Sequence, residues 1–133
     1  SQKWEVIDLH FPMKKYLEAH RKTDAKFGID GFSVANDGVH PGDAGHWLMA
    51  KQILLYLGEK DVAKFSSANA AMLVVPKGDQ ILRLVGERQM IMKNAWLTST
   101  GHKRPMKEGL PMEEAKAKSS EIESQLKALL GQN

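Results

Sequence analysis

The feature that most constrains the fold is a single strand-like run, followed by segments whose apolar residues recur at helical spacing. The run from Trp4 to Leu9 is short and rich in β-prone residues. One strand cannot form a sheet, so we expect its partners to lie upstream or in another chain. The sequence therefore predicts an α/β fold to which this chain contributes one strand and a mostly α-helical remainder.

A helix, a loop and a second helix are predicted after this strand. Pro12 is well placed in the first turn of the first helix. Residues 28–42 are predicted to form a loop, because four glycines, an asparagine and a proline fall there. Asp43 is a suitable N-cap for the second helix, and Gly58 is a suitable stop. The apolar stripes are Met13, Tyr16, Leu17 and His20 on the first helix, and Trp47, Ala50, Ile53, Leu54 and Leu57 on the second.

Residues 59–133 differ in character and are predicted to form a helical extension. Residues 72–76 are a candidate strand that Pro76 ends early. Residues 80–98 and 112–130 each carry an amphipathic helical pattern, and a loop separates them. The predicted inward faces are Ile81, Leu84, Val85, Arg88, Ile91, Met92 and Ala95, then Ala115, Ser119, Ile122, Leu126, Leu129 and Leu130. Trp47 and Trp96 are both expected in the core.

Composition excludes several classes of function. The chain has no cysteine, which excludes disulfide scaffolds, thiolate metal sites and cysteine nucleophiles. Its net charge of +3 is small and its Lys and Arg residues form no basic stripe, so no nucleic-acid partner is expected. No apolar run approaches the ~20 residues of a membrane span. No cofactor is expected, and the compartment stays open because cysteine-free proteins occur in all of them.

The stretch 36–50 carries the residues with chemical potential. Asp37 precedes His40 by three residues, in a Gly- and Pro-rich loop that leads into a helix. Imidazole titrates near neutral pH, so it can take a proton from a hydroxyl and later return it. A neighbouring carboxylate fixes its tautomer and stabilises the imidazolium. The pattern therefore fits a catalytic base and its orienting carboxylate, although a bare Asp-x-x-His also fits a turn cap and a loop histidine.

The longer pattern resembles a known family. Asp37-Gly38-Val39-His40-Pro41, followed by Gly45-His46 and a helix, is similar to the closing catalytic motif of SGNH (GDSL-like) hydrolases. The resemblance covers about residues 4–58, and residues 59–133 resemble the helical C-terminal extensions of some bacterial members. It implies a flavodoxin-like three-layer α/β/α fold and a serine nucleophile. It also implies that Asp37 and His40 are the triad partners of that serine and that the substrates are esters or acylated carbohydrates.

The family's nucleophile and oxyanion residues have no counterpart here. Its serine stands in a Gly-Asp-Ser motif near the start of the domain. The nearest local match is Ser33, in Gly31-Phe32-Ser33-Val34-Ala35, but a nucleophile elbow needs a strand before the serine and a helix after it. We therefore expect this chain to be the C-terminal part of a hydrolase, inert alone. It would dock on a missing N-terminal segment, or on a second copy through the edge of Trp4–Leu9.

Two other functions stay open. Residues 59–133 are compatible with a non-catalytic helical interaction module. His40 and His46 are compatible with a metal-dependent hydrolase, although a third convincing ligand is missing. Asp8 is expected to form a turn, and the basic loop 102–105 is expected to be a solvated turn rather than a substrate contact.

Overall fold

Two compact units make up the chain in the computed structural model, which describes residues 4–29, 31–103 and 105–131. The first unit is Ser1–Ala71 and the second is Met72–Asn133. In chain order the helices are α1 (His10–Lys26), α2 (Asp43–Tyr56), α3 (Ala68–Met72), α4 (Gly78–Ser99) and α5 (Met112–Leu129). A 3₁₀ turn (Lys60–Lys64) lies between α2 and α3.

The α/β prediction is wrong, because the described residues contain helices and no β-strand. The chain is all-α over these residues, so the flavodoxin-like sandwich expected from the resemblance is not formed by them. Trp4–Leu9 is neither helix nor strand, and Trp4 and Val6 are exposed. The candidate strand 72–76 is also absent: Met72 ends α3, and turns follow it. Both runs have strand-like composition, but β-propensity without a pairing partner does not make a strand.

In the first unit, α1 begins where Asp8 supplies a cap. The carboxylate of Asp8 accepts the backbone N–H groups of His10 (3.0 Å) and Phe11 (3.1 Å), which have no partner within the helix. Asp8 therefore caps the start of a helix, where the sequence predicted a turn. Gly28, with φ of +65°, follows the end of the helix and takes the left-handed conformation that suits glycine.

Helix α2 carries the buried centre of the first unit, at Gly45, Trp47 and Leu48. Its N-cap is Gly42 rather than the predicted Asp43, which is the first helical residue. A negative charge there still favours the helix dipole. The indole N–H of Trp47 (3.3 Å) and the ammonium of Lys51 (2.7 Å) both donate to the carbonyl of Phe65, which ties the segment after the 3₁₀ turn to α2.

The second unit is an antiparallel hairpin of α4 and α5, and it agrees with the helices predicted at 80–98 and 112–130. The facing positions follow a heptad spacing of three and four residues on both helices. The buried side chains of the seam are Ile81, Leu84 and Ala95 on α4, and Ala115, Ser119 and Ile122 on α5. The connecting loop returns close to α4, where the Gly109 N–H donates to Thr98 Oγ1 (2.8 Å). A Cβ at Gly109 would overlap the backbone of Asn94, so this position requires glycine.

Arg88 interrupts the apolar seam of this hairpin. Its Nε donates to Ser119 Oγ at 3.0 Å, and its Nη2 donates to Glu123 at 3.1 Å. A polar pair within a coiled-coil seam fixes the register, because a shift of either helix would separate the partners. Among the described residues, no helix combines the length and apolar character that crossing a membrane demands.

Candidate functional site

Asp37 and His40 form a direct side-chain pair in the loop before α2. His40 Nδ1 lies 2.6 Å from Asp37 Oδ2, which is the distance of a short charge-assisted hydrogen bond. Because the carboxylate can only accept, Nδ1 is the donor, and in the neutral imidazole the free lone pair then lies on Nε2. The predicted pairing of these two residues is therefore present, in the orientation that a general base needs.

The second oxygen of Asp37 organises the backbone around His40. Asp37 Oδ1 accepts the N–H groups of Val39 (3.0 Å) and His40 (2.7 Å). These bonds form an Asx turn, the local motif that aspartate favours in loops. The backbone N–H of His40, then its ring and the N–H of Val39, lower the pKa of Asp37 from 3.8 to about 2. The carboxylate is thus ionised at neutral pH, where it can stabilise an imidazolium.

The loop that carries this pair is closed by bonds at its base. The Gly42 N–H donates to the Val34 carbonyl at 2.9 Å, and the Gly38 N–H donates to the Ala35 carbonyl at 3.0 Å. Gly38 has φ of +78°, a conformation that glycine adopts without strain. Gly45, in the first turn of α2, packs beneath the loop, so the loop and the helix are in close contact.

The pair lies at an open depression of about 400 Å³. The side chains of His40 and Asp37 are 73% and 56% exposed, so a substrate or another segment can reach the free ring nitrogen. His40 is therefore open to solvent, and no sheet edge lies beside the pair, because the described residues contain no strand. The depression is lined by Ser33, Val34, Asn36, Asp37, His40, Gly42, Asp43 and Ala44.

Ser33 lines the same depression but is engaged locally. Its hydroxyl donates to the Ala35 carbonyl at 2.7 Å and accepts the Ala35 N–H at 3.2 Å. The residues before it are not a strand and the residues after it are not a helix, so the elbow geometry is missing. Ser33 is thus a turn-stabilising serine in this structure, and the described residues supply no activated nucleophile beside His40.

The other residues considered in the sequence analysis lie apart from the Asp37–His40 contact. His46 is exposed in the first turn of α2, and the described residues contain no group of three or more potential metal ligands around it. In the basic loop, His102 and Lys103 are exposed while Arg104 lies outside the described residues. Trp47 is in the core as predicted, but the same prediction is wrong for Trp96, which is 57% exposed.

The contacts that hold the loop to α1 were not predicted from the sequence. Phe32 is bonded through its backbone to Arg21 and Asp24, and its ring packs on His20 and Tyr16. These partners are 8 to 11 residues away for the hydrogen bonds. Helical spacing of Tyr16 and His20 indicated a shared face, but nothing in it identified Phe32 as the residue that the face contacts.

Comparison of the chain with protein-family models, curated proteins and solved structures finds no match.

Proposed function

We propose that the Asp37–His40 loop supplies the base and its orienting carboxylate to a serine-dependent ester hydrolase. The observation that carries the proposal is the 2.6 Å contact between His40 Nδ1 and Asp37 Oδ2, made at an exposed position. The motif resemblance adds to it. The proposal depends on the loop and not on the sheet of the family, because the described residues contain helices and no strand.

In this reaction His40 Nε2 takes the proton of the serine hydroxyl as the serine oxygen attacks the ester carbonyl. The imidazolium then returns that proton to the leaving alcohol, and an acyl-enzyme remains. Water, deprotonated by the same nitrogen, attacks the acyl-enzyme, and the imidazolium returns that proton to the departing serine oxygen, which releases the acid and restores the enzyme. Asp37 stays ionised throughout, because its lowered pKa keeps its carboxylate available to the imidazolium.

We propose that the nucleophile and the oxyanion donors come from a part of the hydrolase outside residues 1–133. The native protein, below, is the hydrolase that contains both parts. Ser33 is unsuitable because its hydroxyl is bonded to the backbone of Ala35. Preorganised donors of an oxyanion hole contribute about 3–4 kcal/mol of transition-state stabilisation. The 133-residue chain alone is therefore expected to be inactive toward esters.

A fluorophosphonate probe, which labels activated serines covalently, tests this function. The native protein should be labelled, and mass spectrometry should place the label on a serine outside residues 1–133. Labelling should be lost in His40→Ala. It should be retained in His46→Ala, the matched control, because His46 is an exposed histidine in the first turn of α2. Absence of labelling in the native protein, or a label on Ser33, would contradict the proposal.

The second candidate function, a helical interaction module, is favoured by an apolar stripe on α4 that α5 does not cover. The stripe consists of four apolar residues, Leu82, Val85, Met92 and Trp96, with the polar Gln89 at its centre. Val85 is 46% and Trp96 57% exposed, whereas Leu82 and Met92 are half-buried. These positions are spaced almost symmetrically about Gln89. An antiparallel pairing of two copies would place Leu82 of one opposite Trp96 of the other, as a two-fold interface requires. The proposed partner is therefore a second copy of the chain.

Sedimentation of the 133-residue chain tests this alternative. A dimer that Trp96→Ser converts to a monomer would support it. Met90→Ser is the matched control, because Met90 is 52% exposed on the same helix but lies off the stripe. A monomeric wild-type chain, or equal effects of both substitutions, would exclude it.

A further inference from the structure

We infer that α1 positions the catalytic loop through a clasp on Phe32, formed by Tyr16, His20, Arg21 and Asp24. The inference rests on the proposed function and adds positioning residues to it. None of the four touches Asp37 or His40 through any hydrogen bond or ring contact of the described residues. Their effect on the reaction would therefore pass through the loop.

The first part of the clasp binds both polar groups of the Phe32 backbone. Arg21 Nε donates to the Phe32 carbonyl at 3.1 Å, and the Phe32 N–H donates to Asp24 Oδ2 at 3.0 Å. Arg21 and Asp24 are three residues apart on one helix, so their side chains are neighbours. Hydrogen bonds to charged groups are stronger than neutral ones, and two of them on one residue fix its orientation as well as its distance.

The second part of the clasp binds the ring. The centroid of Phe32 lies 4.7 Å from that of His20 and 5.8 Å from that of Tyr16, and the His20 and Tyr16 rings are 4.3 Å apart. Both distances to Phe32 lie within the range of favourable aromatic packing, and the distance between His20 and Tyr16 lies just below it. Tyr16, His20 and Asp24 lie on successive turns of α1, so a single helix face makes the ring contacts and one of the backbone contacts.

The clasp lies at the N-terminal end of the loop, the end that α2 does not fix. Phe32 is two residues before Val34, whose carbonyl closes the loop by accepting the Gly42 N–H. The exit of the loop is fixed by α2, which begins at Asp43. On the entrance side, α1 ends at Lys26, and a turn through Gly28 follows, in which the Ile29 N–H donates to the Asp24 carbonyl at 3.1 Å. Without the clasp, the Asx turn of Asp37 would persist, but the loop would lose the contacts of Phe32 with the side chains of α1.

A catalytic base must keep its position to a few tenths of an ångström for efficient proton transfer. We therefore expect Arg21 and Asp24 to act as positioning residues. Loss of the clasp should leave the Asp37–His40 bond intact and lower kcat, while KM changes little.

Amide hydrogen exchange on the full chain tests the clasp without any substrate. Asp24→Ala and Arg21→Gln should each speed exchange at Phe32 and Gly42 by on the order of tenfold or more, the loss expected for a charged hydrogen bond. Asp24→Asn keeps one oxygen acceptor and should restore much of the protection. Lys22→Ala is the matched control, because Lys22 is exposed on the same turn. The Leu57 amide, which donates to the Ile53 carbonyl at the C-terminal end of α2, reports whether each variant is folded.

Unchanged exchange at Phe32 and Gly42 in folded Asp24→Ala would overturn the inference. If Asp24→Ala does not fold, the exchange rates of Arg21→Gln test the inference. Unchanged exchange at Phe32 and Gly42 in that variant would also overturn it. In the native protein, a wild-type kcat in a variant with rapid loop exchange would overturn the positioning role. Absence of ester hydrolysis in the wild-type native protein would instead refute the proposed function and leave the exchange result standing.

Discussion

The carboxylate of Asp37 binds His40 twice, through the ring nitrogen at 2.6 Å and through the backbone N–H at 2.7 Å. The turn that places the imidazole and the bond that selects its tautomer therefore depend on the same side chain. An Asp-x-x-His sequence makes this arrangement possible, because an Asx turn brings the third following residue back to the carboxylate. The site is thus a local structure that does not need a sheet beneath it.

The titration of Asp37 provides a direct check of this double role. Its pKa should be about 2, lowered from 3.8 mainly by the backbone N–H of His40. Because the folded value is the lower one, the order that Asp37 gives the loop is fully present above about pH 4 and is lost as pH falls through about 2. The ¹³C shift of the Asp37 carboxyl should report this midpoint, and a midpoint near 3.8 would show that the turn is not formed in solution.

Gly45→Ala should destabilise the first unit by about 1–3 kcal/mol, because overpacking forces neighbouring groups apart. The added Cβ would lie 2.8 Å from Pro41 Cβ and 3.0 Å from the Val34 carbonyl oxygen. Gly42→Ala is the control for the added methyl group, since a Cβ there meets nothing within 4 Å and only the preference of the N-cap position for glycine is lost. Urea unfolding of both variants measures the difference. Equal stability would mean that α2 does not pack against the loop.

Arg88→Ala should destabilise the α4–α5 hairpin by about 1–2 kcal/mol through the loss of its bond to Ser119 and of its packed stem. The bond to Glu123 adds little, because both side chains of that pair are 44% exposed. Arg83→Ala is the matched control on α4, since its pair with Glu87 is longer, at 3.4 Å, and exposed. Thermal unfolding of the two variants measures the difference in stability. Equal losses of stability in Arg88→Ala and Arg83→Ala would show that the contacts of Arg88 with α5 do not stabilise the hairpin.

The helices were predicted well from the sequence, because the spacing of apolar residues along a helix reflects which side chains pack against a neighbour. Heptad spacing located α4 and α5 to within about two residues, the usual uncertainty of helix ends. The run Trp4–Leu9 was misassigned because β-propensity describes a residue's fit to a sheet, and the described residues offer none. Trp96 was misplaced for a related reason: its helix has two apolar stripes, and α5 covers only one of them.

The pair at the site was predictable, whereas its support was not. Asp37 and His40 are close in sequence, so their contact follows from local turn chemistry. The clasp on Phe32 joins residues from separate elements, and no spacing rule selects which loop residue a helix face will hold. Arg88 was assigned to the inward face by its spacing, but its bond to Ser119 required the position of a second helix.

The most direct test of the central claim is turnover of a chromogenic acetyl ester by the native protein and its His40→Ala, Asp37→Ala and His46→Ala variants at pH 7–8. Loss of the base should lower kcat by roughly three or more orders of magnitude, and loss of the orienting carboxylate should cost less. His46→Ala should retain wild-type turnover. Undiminished hydrolysis in His40→Ala would contradict the account, because no other described residue is paired with a carboxylate in the manner of a catalytic base.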